Sequence, residues 1–354
     1  MLPHMKLHMK PLLWSTVVAL GAGFVVRAED LPVVVWQGRT MGSPYTVKIV
    51  DGKLTDAQVN GLKAEIENLL KEVNRQMSNY QPDSELSRFN KAPAKVPFKV
   101  TPDFARVTRF GLELSRLSDG AFDPTLGPLI NLWGFGETTD KHVVPSEQQR
   151  RAALAKTGWQ HLTVTEAGEL VKDLPDLALD LGAVAKGFAV DEMIRVLQGH
   201  GLKDIYASIA GEVRVLGHNP KGTKWVLGIT LPVDQWREND PMAAAVTISN
   251  QALSTSGDYQ KFFIDAQGRR LCHIIDARTG TPVQHPLAAV TVIAPDSMTA
   301  DGLATTLFVL GPEAGMKVID ARAAAAALFI VREQDGKFRQ IASAKFEALT
   351  GYKP

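Results

Sequence analysis

Asp301 and Thr305 stand four residues apart in the segment Thr299-Ala300-Asp301-Gly302-Leu303-Ala304-Thr305. If a helix begins near Thr299, the two share one face. A carboxylate, a hydroxyl and nearby carbonyls make an oxygen-only donor set, which suits a hard cation such as Mg²⁺ or Ca²⁺. Helix capping by Thr299 or Asp301, with Thr305 turned inward, accounts for the same residues without a metal. His273 opens the run His273-Ile274-Ile275-Asp276-Ala277-Arg278-Thr279-Gly280, read as a strand closing into a turn. A strand histidine beside an acid and an arginine can act as a general base, or can be structural. In Leu179-Asp180-Leu181-Gly182-Ala183-Val184-Ala185-Lys186-Gly187 a strand is expected to end in Asp180, and Gly182 to turn the chain into a helix through Met193, Ile194 and Leu197. The free N–H groups of that helix N-terminus, with Lys186 in its first turns, suit a phosphate. An ordinary strand-to-helix turn with a solvated lysine fits equally simple chemistry.

These groups need a scaffold, and the pattern around them is mixed α and β. The tract Ser118 to Gly136 holds two prolines, four glycines, two acids and three aromatics with no apolar period, so it reads as a shaped loop. Its Ala121-Phe122-Asp123 segment offers a stiff, aromatic, acid-bearing wall for a planar ligand, or a buried turn. Val33 to Trp36 and Tyr45 to Val50 read as strands. Thr55 can cap a helix with Val59, Leu62, Ile66, Leu69, Val73 and Met77 inward, ending before Pro82. A second helix starts near Pro102 and leads into the Gly120 loop, and Ser146 opens a third. Leu162 to Val164 and Leu177 to Leu179 read as strands. Ile205 to Ile209, Val213 to Leu216, Trp225 to Ile229 and Ala245 to Ile248 read as an antiparallel meander.

The chain has 354 residues, 45% of them hydrophobic, and a net charge of +1. A large core is affordable, and no polyanion-binding surface is indicated, which argues against nucleic acid. Lys6 and Lys10 precede an apolar run from Leu12 to Val26, and Val26-Arg27-Ala28 has the small-residue spacing of a signal peptidase site. Residues 1–28 are therefore expected to be a signal peptide and residues 29–354 one catalytic unit, exported to a periplasm. No cysteine lies near the junction, so a lipid anchor is not expected, and the single Cys272 cannot form an internal disulfide.

Taken in order, these segments resemble the ApbE family of flavin transferases. The resemblance rests on Thr40-Met41-Gly42, Ser78-Asn79-Tyr80 with Asp83 to Asn90, the Gly120 to Gly136 loop, Leu179 to Ala183 with Lys186-Gly187, His273 to Asp276 with Thr279-Gly280, and Asp301 with Ala304-Thr305. It implies an α+β fold with mixed and antiparallel sheets, flanking helices and two intimately packed subdomains around an FAD cleft. It implies that Met41, Tyr80, Ala121, Phe122, Asp123, Asp180, Lys186 and Ile274 contact FAD. It implies Mg²⁺ on the Ala183 carbonyl, Asp301 and Thr305, and His273 as base.

The implied reaction moves FMN from FAD to a Thr or Ser hydroxyl of an acceptor protein, releasing AMP. The family's acceptors are exported subunits of respiratory complexes such as the sodium-pumping NADH:quinone reductase. Two rivals share the same residues: an FAD pyrophosphatase, with water as nucleophile, and a non-catalytic flavin carrier.

Overall fold

The computed structural model describes residues 30–136, 142–234 and 241–354. The expected signal peptide lies outside the described residues. Eight strands form one open sheet whose spatial order follows chain order: β1 (Val33–Thr40), β2 (Ser43–Val50), β3 (Ile205–Ile209), β4 (Glu212–Leu216), β5 (Gln251–Gly257), β6 (Leu287–Ala294), β7 (Ala326–Arg332) and β8 (Phe338–Ala342). Every neighbouring pair is antiparallel.

Register decides which side chains share a face. Leu253 on β5 pairs with Val213 on β4 and with Ile293 on β6, and Ile293 pairs with Ala326 on β7. These four pack with a separate hairpin, Trp225–Thr230 with Met242–Ile248, and with Phe346 of the short C-terminal helix Phe346–Thr350. One position along, Val292 pairs with Ala327 and Val290 with Phe329, and these face the helices. Both faces of β6 are covered, so all eight of its residues are buried. Its run is apolar for that reason except at Thr291, whose hydroxyl pairs with Thr255 Oγ1 at 2.8 Å.

The helices are α1 (Asp56–Met77), α2 (Glu85–Lys91), α3 (Pro102–Leu117), α4 (Gly127–Leu132), α5 (Glu147–Leu154), α6 (Ala185–Gly199), α7 (Ser297–Asp320) and α8, the C-terminal helix already given. Thr55 and Gln58 make a reciprocal capping box on α1, and Leu62, Ile66, Leu70, Val73 and Met77 are buried. The period places Leu70 rather than Leu69 on the inward side. Ser146 and Gln149 repeat the device on α5. α7 is two helices that meet at a kink, broken at Gly311 (φ 76°) before Pro312. Pro312 has no N–H for the Phe308 carbonyl four residues back, and His285 Nε2 donates to that oxygen instead, at 2.7 Å.

Three expectations change. Leu177 to Leu179 is not a strand; Ala178 makes only an isolated parallel bridge with Leu126. Trp225 to Ile248 does not continue the meander but folds over the other face of the sheet, because its alternating apolar residues cover β4 to β7. The Gly120 tract is a loop only to Leu126, after which Pro128 enters the first turn of α4, where a missing N–H costs nothing.

Two short hairpins follow β5: Phe262–Ile264 with Arg270–Cys272, and Ile275–Asp276 with Thr281–Pro282. Leu271 and Ile275 pack with Leu126, Leu129 and Trp133 of the α4 region. Trp133 Nε1 donates to the Gly280 carbonyl at 2.9 Å. This cap stands across a cleft from the ends of α1, α6 and α7.

Candidate active site

The cleft encloses about 790 Å³. Met41, Tyr80, Phe122, Asp123, Asp180, Ala183, Lys186, His273, Ile274, Asp301 and Thr305 all line it. Of the expected residues only Ala121 does not. It is fully buried behind the wall, and its carbonyl accepts the Ala277 N–H at 3.1 Å, tying the Gly120 loop to the cap.

Met41 and Gly42 form the two-residue turn between β1 and β2, both with positive φ (48° and 70°), and this turn carries the Met41 side chain to the cleft. Tyr80, beyond the end of α1, is 70% exposed at the rim. Phe122 forms wall, and its N–H is fixed by Ser118 Oγ at 3.0 Å. The Asp123 carboxylate serves the loop itself: it accepts from Thr125 N and Oγ1, both at 2.7 Å, and from Trp159 N at 2.8 Å. Burial pushes its carboxyl above the ordinary range, against these hydrogen bonds.

Asp180 is fixed from both sides, by Gly182 N at 2.8 Å and Asn79 Nδ2 at 2.9 Å. Burial pushes its carboxyl above the ordinary range against these bonds. Asn90 pairs with the Leu179 backbone through both its side-chain atoms, so α2 sets the height of Asp180.

The α6 N-terminus meets a carboxylate of its own chain. Gly187 N donates to Asp301 Oδ2 at 3.0 Å. Gly187 lies in the first turn of α6, where an N–H has no partner within the helix. Lys186 Nζ donates to Glu212 Oε1 at 2.8 Å. Burial alone would lower the Lys186 pKa, but Asp301 and Glu212 raise it strongly. Burial pushes Asp301 well above the usual carboxylate range; Lys186 opposes this and Glu212 reinforces it. Two buried carboxylates thus share one ammonium. Thr305 Oγ1, one turn beyond Asp301, is 3.0 Å from Ser256 Oγ on β5. Burial disfavours the ionised form of Asp301, and a hard cation would restore it, with the Thr305 hydroxyl and the Ala183 carbonyl lining the same cleft. Among the described residues no cluster of three or more His, Cys, Asp or Glu side chains suits a metal. Hence a cation here would rest on the single Asp301 carboxylate, neutral protein oxygens and a ligand's phosphate.

His273 lies in a bend between the two cap hairpins rather than on a strand. The pairing of Arg270–Cys272 stops one residue before it, so the expected strand does not reach His273. Its Nδ1 is 3.2 Å from the Lys261 carbonyl, which can only accept, so the proton is assigned to Nδ1 and the basic lone pair to Nε2. Burial, with Lys261 and Lys186 nearby, pulls the imidazole down to about 4, against its backbone hydrogen bond. It is neutral and available through the physiological range. Because kcat/KM reports the free protein, it should fall less than about twofold between pH 7 and pH 5.5, where an ordinary histidine base would lose roughly eightfold. A pH profile at saturating metal checks this; an acid limb near 6.5 would contradict the geometry.

Glu212, Asn79 and Asn90 had no assigned role in the sequence. Glu212 follows the tight turn Ala210-Gly211 and is only 6% exposed. An acid beside a turn reads as solvated, so no local signal marks it.

Comparison with known proteins gives one answer. A model of the ApbE family matches residues 41–329. A protein named FAD:protein FMN transferase from Vibrio cholerae is 41% identical over 334 residues, covering 93% of this chain and 97% of that protein. One of the same name from Escherichia coli K12 is 37% identical, covering 91% of each. The flavin transferase ApbE structure from Vibrio cholerae superposes with a TM-score of 0.81 at 40% identity, over 90% of this chain and 99% of the other. The apo flavinyl transferase ApbE from Pseudomonas stutzeri gives 0.82 at 38%, over 92% and 99%.

Proposed function

The chain belongs to the ApbE family and is a transferase that moves flavin from FAD to a protein; we propose that it does so with Mg²⁺, placing FMN on a Thr or Ser hydroxyl and releasing AMP. The observation that carries this reading is the convergence of His273, Lys186, Asp301 and Thr305 on one cleft of ligand size. Met41, Tyr80, Phe122 and Ile274 offer the flavin and adenine rings apolar and aromatic contact.

The acceptor hydroxyl gives its proton to His273 Nε2 as its oxygen bonds to the FMN phosphorus. The bond from that phosphorus to the AMP oxygen breaks, and AMP leaves with the electron pair. Lys186 neutralises charge on the phosphates, held for this by Glu212. The Ala183 carbonyl, Asp301 and Thr305 would hold Mg²⁺, which when bound neutralises charge across the pyrophosphate. The remainder of catalysis is positioning.

For the acceptor, the family resemblance points to exported subunits of respiratory complexes such as the sodium-pumping NADH:quinone reductase. For location, the pattern of residues 1–28 points to the periplasm. Among the described residues no helix is long and apolar enough to cross a membrane.

Incubation with FAD, Mg²⁺ and an acceptor domain, followed by intact mass of the acceptor, tests the reading. An FMN-sized gain is expected, with loss on chelation by EDTA. Asp301→Asn should lower the rate by roughly 10²-fold or more. Release of FMN and AMP without a gain would make the protein a pyrophosphatase. FAD bound and left intact beside a competent acceptor would make it a carrier.

A further inference from the structure

Lys186, Glu212 and Asp301 with Thr305 come from three different elements: α6, β4 and α7. One buried side chain outside the cleft touches all three elements. Asp191 lies on α6, five residues after Lys186. Its Oδ1 accepts from the Ser297 N–H at 2.8 Å and from Arg214 Nη1 at 2.7 Å, and its Oδ2 accepts from the Met298 N–H at 2.9 Å. Ser297 and Met298 open α7, one turn before Asp301. Arg214 is on β4, two residues after Glu212.

The first donors of α7 can be accounted for completely. Ser297 and Met298 donate to Asp191. Thr299 donates to the Asp296 side chain at 2.8 Å, and Ala300 to the Asp296 carbonyl at 3.1 Å. Of the three that have no carbonyl partner within the helix, two are therefore satisfied from another helix. A carboxylate suits that end of the helix dipole, and Arg214 compensates its buried charge. Because the contact is made by both oxygens, it fixes where α7 stands along and around its axis relative to α6. The Gly187 to Asp301 hydrogen bond is then made at the right place.

We propose that Asp191 is a positioning residue for the reaction: it sets Asp301 and Thr305 against Lys186 through the start of α7, with Arg214 extending the tie to Glu212. This rests on the reading of the cleft as the FAD and metal site. A purely structural role predicts something different, and Asp296 separates the two. It caps the same helix end from within its own chain segment.

The test uses the purified chain, its fold checked by circular dichroism. FAD binding is followed by flavin fluorescence with and without Mg²⁺, and single-turnover transfer is measured on the same samples. In Asp191→Asn the amide nitrogen faces another donor. Transfer should fall about 10²-fold, as a displacement of about 1 Å at the reacting groups does. Enhancement of FAD binding by Mg²⁺ should be largely lost, while FAD affinity without Mg²⁺ stays near wild type. Asp296→Ala should lower Tm and leave the transfer rate and the Mg²⁺ response unchanged. Asp191→Asn with wild-type rate and Mg²⁺ response, whatever its Tm, overturns the inference, and so does loss of rate in both variants in proportion to Tm. If Asp191→Asn does not fold, Arg214→Gln is read by the same criteria. A wild-type chain that binds no FAD overturns the reading of the cleft itself, and is seen before any variant is made.

Discussion

Replacing His273 with alanine should lower transfer by about 10²–10⁴-fold, roughly 3–5 kcal/mol of transition-state stabilisation, while FAD still binds. The imidazole stands on the cap, its Nδ1 held by the Lys261 carbonyl and its ring half-buried in the cleft wall. Removing it leaves a small hole and no buried charge, so the fold should survive with Tm little changed. Lys186, Glu212, Asp301 and Thr305 are untouched, and the cofactor should still be held. Single-turnover transfer beside FAD titration separates the two effects. Equal loss of binding and rate would mean that His273 is wall rather than base. Release of FMN to water should fall in parallel, since water needs the same proton acceptor.

Gly187→Ala should cost about 3 kcal/mol of stability, near the upper end for overpacking, because the added carbon meets backbone rather than a flexible side chain. It would fall well inside contact distance of the Ser297 carbonyl oxygen and 2.8 Å from Asp301 Cβ. α6 and α7 can touch here only because position 187 has no side chain. The same closeness lets Gly187 N reach Asp301 Oδ2. Activity per folded molecule should therefore fall as well, since α7 must move away and take Asp301 with it. Chemical denaturation and transfer rate on the same sample check both. Wild-type stability would show that the two helices can slide apart freely.

Much of the fold is legible in the sequence. The capping boxes at Thr55 and Ser146 and the period of α1 and α3 are local signals, and they placed those helices to within a residue or two. Asp301 and Thr305 do share a face, although α7 begins at Ser297 with Asp296 as its cap. What could not be read is whatever depends on partners distant in sequence. β5 is small and hydroxyl-rich, and becomes a central strand only because β4 and β6 flank it. β6 is a strand because both its faces are covered. Glu212 and Asp191 look like ordinary surface acids, and only the convergence of α6, α7 and β4 buries them. The resemblance named residues that, Ala121 apart, line the cleft, but not the side chains that hold those residues in place.

The order of strands in the sheet has a kinetic consequence. β1 and β2 are joined by a two-residue turn and can zip in microseconds, but β2 must wait for β3 across residues 51–204. That long segment supplies Tyr80, Phe122, Asp180 and Lys186, whereas β4, the cap and α7 supply Glu212, His273 and Asp301. Closure of a loop this long is entropically costly and slow compared with local pairing. The cleft draws its walls from the β1–β2 turn, the inserted segment and the chain beyond it, so it is complete only once β2 has met β3. Ligand competence therefore requires this long-range pairing, and a chain in which only the local hairpin has formed has no complete cleft.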